Sequence, residues 1–370
     1  MIKKLIKSID YGILIIVFLL FIIGLIGLKS ATGGAGGDPN EFSKQITWFV
    51  FGIFIIFFFI NFDYKHLSKI AVPLYILFLV LLIGVLFTNP VNGATSWYNL
   101  KIMSFQPSEF EKIVIIITYA KFLSYLNSKK TLNKFYNILL SLLILAIPIF
   151  FIIRQPDYGT AIIIIVIACT MLFVAGIKWR YIIISVLLVA VSLPFLYQFV
   201  LPEHAKARIN VFLNPESDPR GAGYNIIQSK IAVGSGSIHG MGLFNGNQTQ
   251  LGFLPMKTTD FIFSVISEEL GFIVSTLIVL LFVVLLVRII NLSRKSKDEF
   301  GKLICAGIFA LFFSHFVENI GMGIGLLPIT GVPLPFISYG GSSMLTNMIC
   351  IGILTSISCR RKRDMFWDLK

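Results

Sequence analysis

One acid of this chain stands at the edge of a long apolar stretch, in Thr258-Thr259-Asp260-Phe261-Ile262-Phe263. A carboxylate held at such a boundary could take a proton from an alcohol, the work of a general base. It could equally cap a helix, because Asp is among the preferred N-cap residues. Helical spacing puts Asp260, Ser264, Ser267, Glu268, Gly271 and Ser275 on one stripe. A stripe this small and polar has to face protein or a wet cavity. Glu268 and Glu269 lie one to two turns deeper than Asp260. Ionisable groups inside a membrane span are costly unless paired or hydrated, and they mark functional sites by default.

A second constellation is Gln106-Pro107-Ser108-Glu109-Phe110-Glu111-Lys112. Pro107 suits a first helical turn. Glu109 and Lys112 are three residues apart, so they share a face and can pair, whereas Glu111 faces elsewhere. The pair either fixes helix packing or offers a cavity-lining cation to an anionic substrate. A third group lies in the polar stretch from about 201 to 259. Arg208, Arg220, Lys230 and Lys257 are its cations, and Asn225, Gln228, Ser229, Asn247 and Gln248 its neutral hydrogen-bonders. That mixture suits a sugar-phosphate ligand, with cations for phosphate, and also suits a plain solvated loop. The run Gly234-Ser235-Gly236, with Gly240 and Gly242, hints at a nucleotide loop, but no strand precedes it. Asp157, in Arg154-Gln155-Pro156-Asp157-Tyr158-Gly159-Thr160, reads mainly as a structural turn near a helix start. His315, Glu318 and Asn319 read as interhelical hydrogen-bonders.

The elements that position these groups follow from composition. The 370 residues are 56% hydrophobic, include 35 Phe, and are only 13% charged. A soluble chain carries about a quarter charged residues. Apolar runs long enough to span a bilayer as helices recur roughly at 11–28, 46–61, 69–88, 107–125, 136–153, 159–177, 181–200, 260–290, 302–323 and 341–358. The expected fold class is therefore all-α: a polytopic bundle of about ten transmembrane helices, forming one domain over 1–370. A large extracytoplasmic loop joins spans seven and eight. The segment Ile324–Gly340, apolar but rich in Pro and Gly, is expected to be non-helical and packed against protein. No inverted repeat of the transporter kind is evident. Most of the 31 Lys and Arg fall in alternate, short loops. By the positive-inside rule both termini are then cytoplasmic. The net charge of +13 reads as topology and contact with anionic membrane lipids, not as nucleic-acid binding. Cys169, Cys305, Cys350 and Cys359 all lie in or beside spans, which predicts no disulfide. The four His show no metal spacing.

Five motifs in order resemble the SEDS family (shape, elongation, division and sporulation) over nearly the whole chain. They are QPSEFEK (106–112), RQPDYGTA (154–161), RINVFLNPESDPRGAGYNIIQSKIAVGSG (208–236), LGFLPMKTTDFIFSVISEELG (251–271) and NIGMGIGLLPITGVPLPFISYGGSS (319–343). The wording of the second and fifth resembles the rod-shape branch more than the division branch. The resemblance implies a peptidoglycan glycosyltransferase that polymerises lipid II on the outer face of the bacterial cytoplasmic membrane during elongation. It implies a class B penicillin-binding protein as partner, within the elongation machinery. The family's essential acid falls on Asp260, its ion pair on Glu109 and Lys112, and its loop Arg on Arg208. Met256 and Lys257 depart from the family pattern, which leaves Lys257 without an assigned role. On this reading Asp157, Gln228, Ser229 and Glu268 support the substrate site. Lys112, Arg208 or a divalent cation (Mg or Mn) would meet the departing pyrophosphate charge. Rival readings are a flippase for the same lipid-linked precursor and a scaffold for wall enzymes.

Overall fold

In a computed structural model, the described residues are 8–89, 95–100, 103–181, 183–184, 187, 198, 203–218 and 221–361. They form helices α1 (Tyr11–Gly33), α2 (Asn40–Asn61), α3 (Leu67–Val85), α4 (Pro107–Ser128), α5 (Phe135–Arg154) and α6 (Tyr158–Ala175). After these come α7 (Glu203–Leu213), α8 (Ala222–Ser235), the single turn α9 (Asn247–Gln250), α10 (Ile262–Arg294), α11 (Glu299–Gly323) and α12 (Gly341–Cys359). A hairpin of β1 (Tyr98–Leu100) and β2 (Met103–Phe105) pairs Tyr98 with Phe105. Among the described residues, eight helices are long and apolar enough to cross a membrane. α4 adds 22 residues, about 33 Å at 1.5 Å per residue, but it carries Glu109, Glu111, Lys112 and Lys121. The expected span 181–200 lies almost wholly outside the described residues, as do most of the residues flanking both termini.

Helices α4, α11 and α12 form the interior. Tyr119, Leu311, Phe312 and Leu354 are fully buried there. The outer helices turn apolar side chains outward, including Phe51, Phe54 and Phe58 on α2 and Leu139, Leu142 and Leu143 on α5. Exposed apolar surface of this extent belongs in lipid. The four cysteines carry free thiols.

The stretch 201–259, expected as one large loop, carries short helices of its own. α7, α8 and α9 fold within it, and α8 packs on α10 and α11. Short polar helices of this kind have no long apolar stripe, so periodicity does not reveal them. The sequence pattern also predicts one unbroken eighth span, but α10 is kinked at Gly271 (φ 76°, ψ −172°). The kink brings Ser267 Oγ within 2.8 Å of Ser275 Oγ, two groups that a straight helix would hold about 12 Å apart. Backbone groups freed at the break are taken up by residues 237–242. Phe272 N donates to Ser237 O (2.9 Å), Met241 N to Glu268 O (2.9 Å) and Gly242 N to Glu269 O (3.0 Å). Kinks persist where such groups find new partners. The glycine run that hinted at a nucleotide loop serves this close approach. A Cβ on Gly240, which has φ +82°, would meet the Glu269 carbonyl oxygen.

Gly240→Ala should therefore lower the melting midpoint of the detergent-purified chain, with backbone strain alone worth about 1–3 kcal/mol. Gly234→Ala, inside α8 where a Cβ meets nothing, should leave it unchanged or raise it. Equal midpoints for Gly240→Ala and the wild type would show that the contact is not needed.

Candidate functional site

Asp260 lies in the turn that precedes α10. The N-cap position of that helix is Phe261, with no side-chain cap bond, so the carboxylate is not spent on capping. Asp260 is partly exposed, while Phe261 behind it is buried and anchors the turn. The backbone around the acid is held at three successive carbonyls. Tyr339 N donates to Thr258 O (2.9 Å), Ser338 Oγ to Thr259 O (2.6 Å), and Asn319 Nδ2 to Asp260 O (2.9 Å). Ser338 is itself fixed, because Leu334 N donates to its Oγ (2.8 Å) and Gln45 Nε2 to its carbonyl (2.9 Å). The connector between α11 and α12 is non-helical and packed, as its Pro and Gly content predicts. Its Val332, Leu334, Phe336 and Ile337 are buried.

Withdrawal from water pushes the Asp260 carboxyl up to about 6, while the Thr259 hydroxyl and the Arg208 charge pull it back down. Arg208 is exposed on α7. The acid is thus a stronger base than an ordinary Asp, near 3.9, yet it stays mostly ionised at neutral pH. Such a group in the mouth of a polar region fits a general base.

A second charged cluster lies across the connector. Lys112 Nζ meets Glu109 Oε1 at 2.7 Å, both side chains buried, and lies 2.9 Å from His315 Nε2. His315 Nδ1 lies 2.9 Å from Pro333 O. The ammonium can only donate, so Nε2 accepts and Nδ1–H donates to the carbonyl. One turn along α11, Asn319 Nδ2 donates to Val332 O (2.8 Å) as well as to Asp260 O. A continuous polar path therefore runs from the ion pair, through His315, the connector and Asn319, to the backbone of Asp260. Asp157 caps α6 by accepting from Thr160 N (3.1 Å), and Ser108 Oγ and Gln106 Nε2 tie it to the start of α4. Burial pushes its carboxyl up, and Thr160 and Lys112 draw it down. Glu111 is buried away from this pair, with neither oxygen hydrogen-bonded.

Other candidates are held elsewhere. Ser229 Oγ donates to Gly323 O (2.6 Å) and meets Ser264 Oγ (2.7 Å), fastening α8 to α10 and α11. Gln228 is half-buried on α8. Glu268 accepts from Gln248 N (2.7 Å) and from the Thr249 amide and hydroxyl, which caps α9. Lys257 Nζ donates to Ala35 O and Thr249 O. Arg220 lies outside the described residues. Ser338 and Gln45 were not legible as site residues: Gln45 sits among other polar residues at the start of α2, and Ser338 beside the glycines that end the connector. Among the described residues, no group of three or more His, Cys, Asp or Glu is placed to hold a metal ion.

A family described as cell cycle protein, comprising FtsW, RodA and SpoVE, matches residues 11–363. The peptidoglycan glycosyltransferase MrdB of Escherichia coli K12 is 40% identical over 290 residues, 78% of each chain. The peptidoglycan glycosyltransferase RodA of Treponema pallidum is 33% identical, covering 87% of this chain and 90% of its own. One chain of a solved peptidoglycan synthase complex, studied for the coordination of polymerization and crosslinking, superposes with a TM-score of 0.82. It is 26% identical and covers 96% of this chain and 99% of its own.

Removing one partner of a buried ion pair strands the other. Lys112→Met should cost about 3–5 kcal/mol, read as a lower unfolding midpoint in detergent, and Lys112→Met with Glu109→Gln should recover most of the loss. A double variant no more stable than the single one would show that the pair is not the stabilising unit.

Proposed function

The chain belongs to the FtsW/RodA/SpoVE family of multi-pass membrane proteins, and from that premise we propose that it polymerises lipid II into peptidoglycan glycan strands. The observation that carries the reading is Asp260. It is a partly exposed carboxylate of raised basicity, not used in capping, with its backbone clamped at three carbonyls.

The reaction joins two sugars, and a hydroxyl is a poor nucleophile at neutral pH. Asp260 accepts the proton of the acceptor's 4-hydroxyl as its oxygen bonds to the donor's anomeric carbon. The bond from that carbon to the pyrophosphate oxygen breaks, and its electron pair leaves with the lipid pyrophosphate. One displacement inverts an α linkage to β. Arg208, whose charge already reaches Asp260, would bind the departing anion, a role that suits guanidinium. Lys112 is occupied by Glu109 and His315 and is better read as positioning the connector. Asp157 positions α4 against α6, Ser229 fastens α8, and Glu268 orders the segment leading to Asp260. Gln228 is left to contact the sugar. A divalent cation (Mg or Mn) carried by the pyrophosphate would meet the same departing charge.

The charge pattern supports a placement in the bacterial cytoplasmic membrane with both termini cytoplasmic and Asp260 at the outer face. Likeness to a chain of a synthase complex supports a class B penicillin-binding protein as partner in elongation. A flippase for the same precursor is not favoured, because the named relatives are glycosyltransferases.

Purified chain given lipid II in detergent should form glycan polymer, where transport has no sides to work between. Asp260→Asn should lower the rate by about 10²–10⁴-fold at an unchanged melting midpoint. Near-normal polymer from that variant would remove Asp260 from catalysis. For the wild type, kcat/KM should fall as pH drops through about 6, because the base works only when unprotonated. Arg208→Ala removes a downward pull on the carboxyl, so this acid limb should move to higher pH. A limb that stays in place would take Arg208 out of the site.

A further inference from the structure

At the end of α10 remote from Asp260, a cleft of about 450 Å³ opens beside the start of α1 and the end of α12. Among the described residues, Arg288, Lys295 and Arg361 line it together with the carboxylate of Asp10. Arg288 Nη1 donates to Asp10 Oδ1 at 2.7 Å and the Arg288 side chain is 42% exposed, so one of its five donors is engaged there. The balance of these described lining residues is positive, and Asn291 adds an uncharged amide. The remaining wall is apolar: Val283, Val284 and Val287 are all exposed. They continue a row along α10, in which Leu277, Leu280, Val284 and Val287 repeat at helical spacing and are each exposed. From Arg288 to Leu277 the helix rises about 16 Å, close to half of the roughly 30 Å hydrocarbon core.

A cationic cleft at one end and an exposed apolar row one leaflet long describe the outline of a phospholipid. We propose that this cleft binds the headgroup of an anionic glycerophospholipid, with its acyl chains lying along the α10 row. Arg288 and Arg361 take the phosphate by charge-assisted hydrogen bonds, and Asn291 meets a headgroup hydroxyl. A zwitterionic lipid would carry its ammonium group into the same positive field, so the site discriminates by net charge. In the orientation supported above this is the cytoplasmic leaflet. The binding itself needs only that the chain spans a membrane, and it holds whether or not the glycosyltransferase reading does.

The test uses the full chain in detergent, with native mass spectrometry titrating phosphatidylglycerol, phosphatidylcholine or inorganic phosphate. The wild type should retain one phosphatidylglycerol in preference to phosphatidylcholine, with no retention of inorganic phosphate. At about fivefold per cation, the double variant Lys295→Ala/Arg361→Ala should bind phosphatidylglycerol roughly thirtyfold more weakly. Arg361→Gln alone, just past the end of α12, should show the single fivefold step and carries the test should the double variant fail to purify. Equal retention of both lipids, inorganic phosphate bound as well as lipid, or variants that bind phosphatidylglycerol like the wild type would each overturn the assignment.

Discussion

Three consecutive carbonyls, those of Thr258, Thr259 and Asp260, are each claimed by a donor from elsewhere in the chain. Irregular backbone beside a membrane cannot leave such groups unpaired without heavy cost. The bundle meets that constraint with a second irregular segment, the connector between α11 and α12, and with Asn319 of α11. Satisfying the backbone and aiming the acid are therefore one arrangement. Phe261 is buried behind the turn, so the carboxylate cannot retreat inward, and the clamp leaves the backbone little freedom to swing it outward. A base placed this way loses little entropy when a substrate arrives.

The same connector receives the buried ion pair. Charges as buried as Lys112 and Glu109 are stable only when every donor and acceptor is well placed. His315 completes the set by accepting from Lys112 at Nε2 and donating its Nδ1–H to Pro333 O. The connector is thus held from α11 by His315 and Asn319 and from α2 by Gln45. The ion pair is thereby linked to the backbone of Asp260 through packing and hydrogen bonding. A strictly electrostatic role for Lys112 at the reacting bond is not required to make it matter.

Much of this was legible in the sequence, for reasons that differ by element. Long apolar runs declare spanning helices through length and polarity alone, and the Pro and Gly of Ile324–Gly340 exclude a helix there. Glu109 and Lys112 declare their pairing by spacing. The structured part of 201–259 was not legible, because α8 is short and holds its place through single contacts such as Ser229 with Gly323. The break at Gly271 was hidden as well. Glycine inside an apolar run is common, and only the tight approach of Gly240 to Glu269 reveals why the helix stops. Nor did the stripe from Asp260 to Ser275 survive as one face. Glu268 turned out to serve α9, with its oxygens taken by Gln248 and Thr249. Polar residues in this region were visible from the sequence, but their partners lie far along the chain and no local pattern names them.

The basicity of Asp260 expresses a balance between two opposed effects. Withdrawal from water alone would favour the protonated acid, which could not act as a base at neutral pH. A close, fully paired cation would do the opposite, holding the carboxylate ionised but too weakly basic to draw a proton from an alcohol. The structure stands between these limits. Burial raises the carboxyl, while the Thr259 hydroxyl and the more distant guanidinium of Arg208 return it to about 6. Proton transfer is most effective when the base titrates near the working pH, and a cation kept off the carboxylate is also free to meet an anion. One exposed arginine thereby draws the carboxyl back toward its ionised form without pairing with it. Clamping the turn through its backbone fixes the acid's position without the loss of basicity that a side-chain salt bridge would bring.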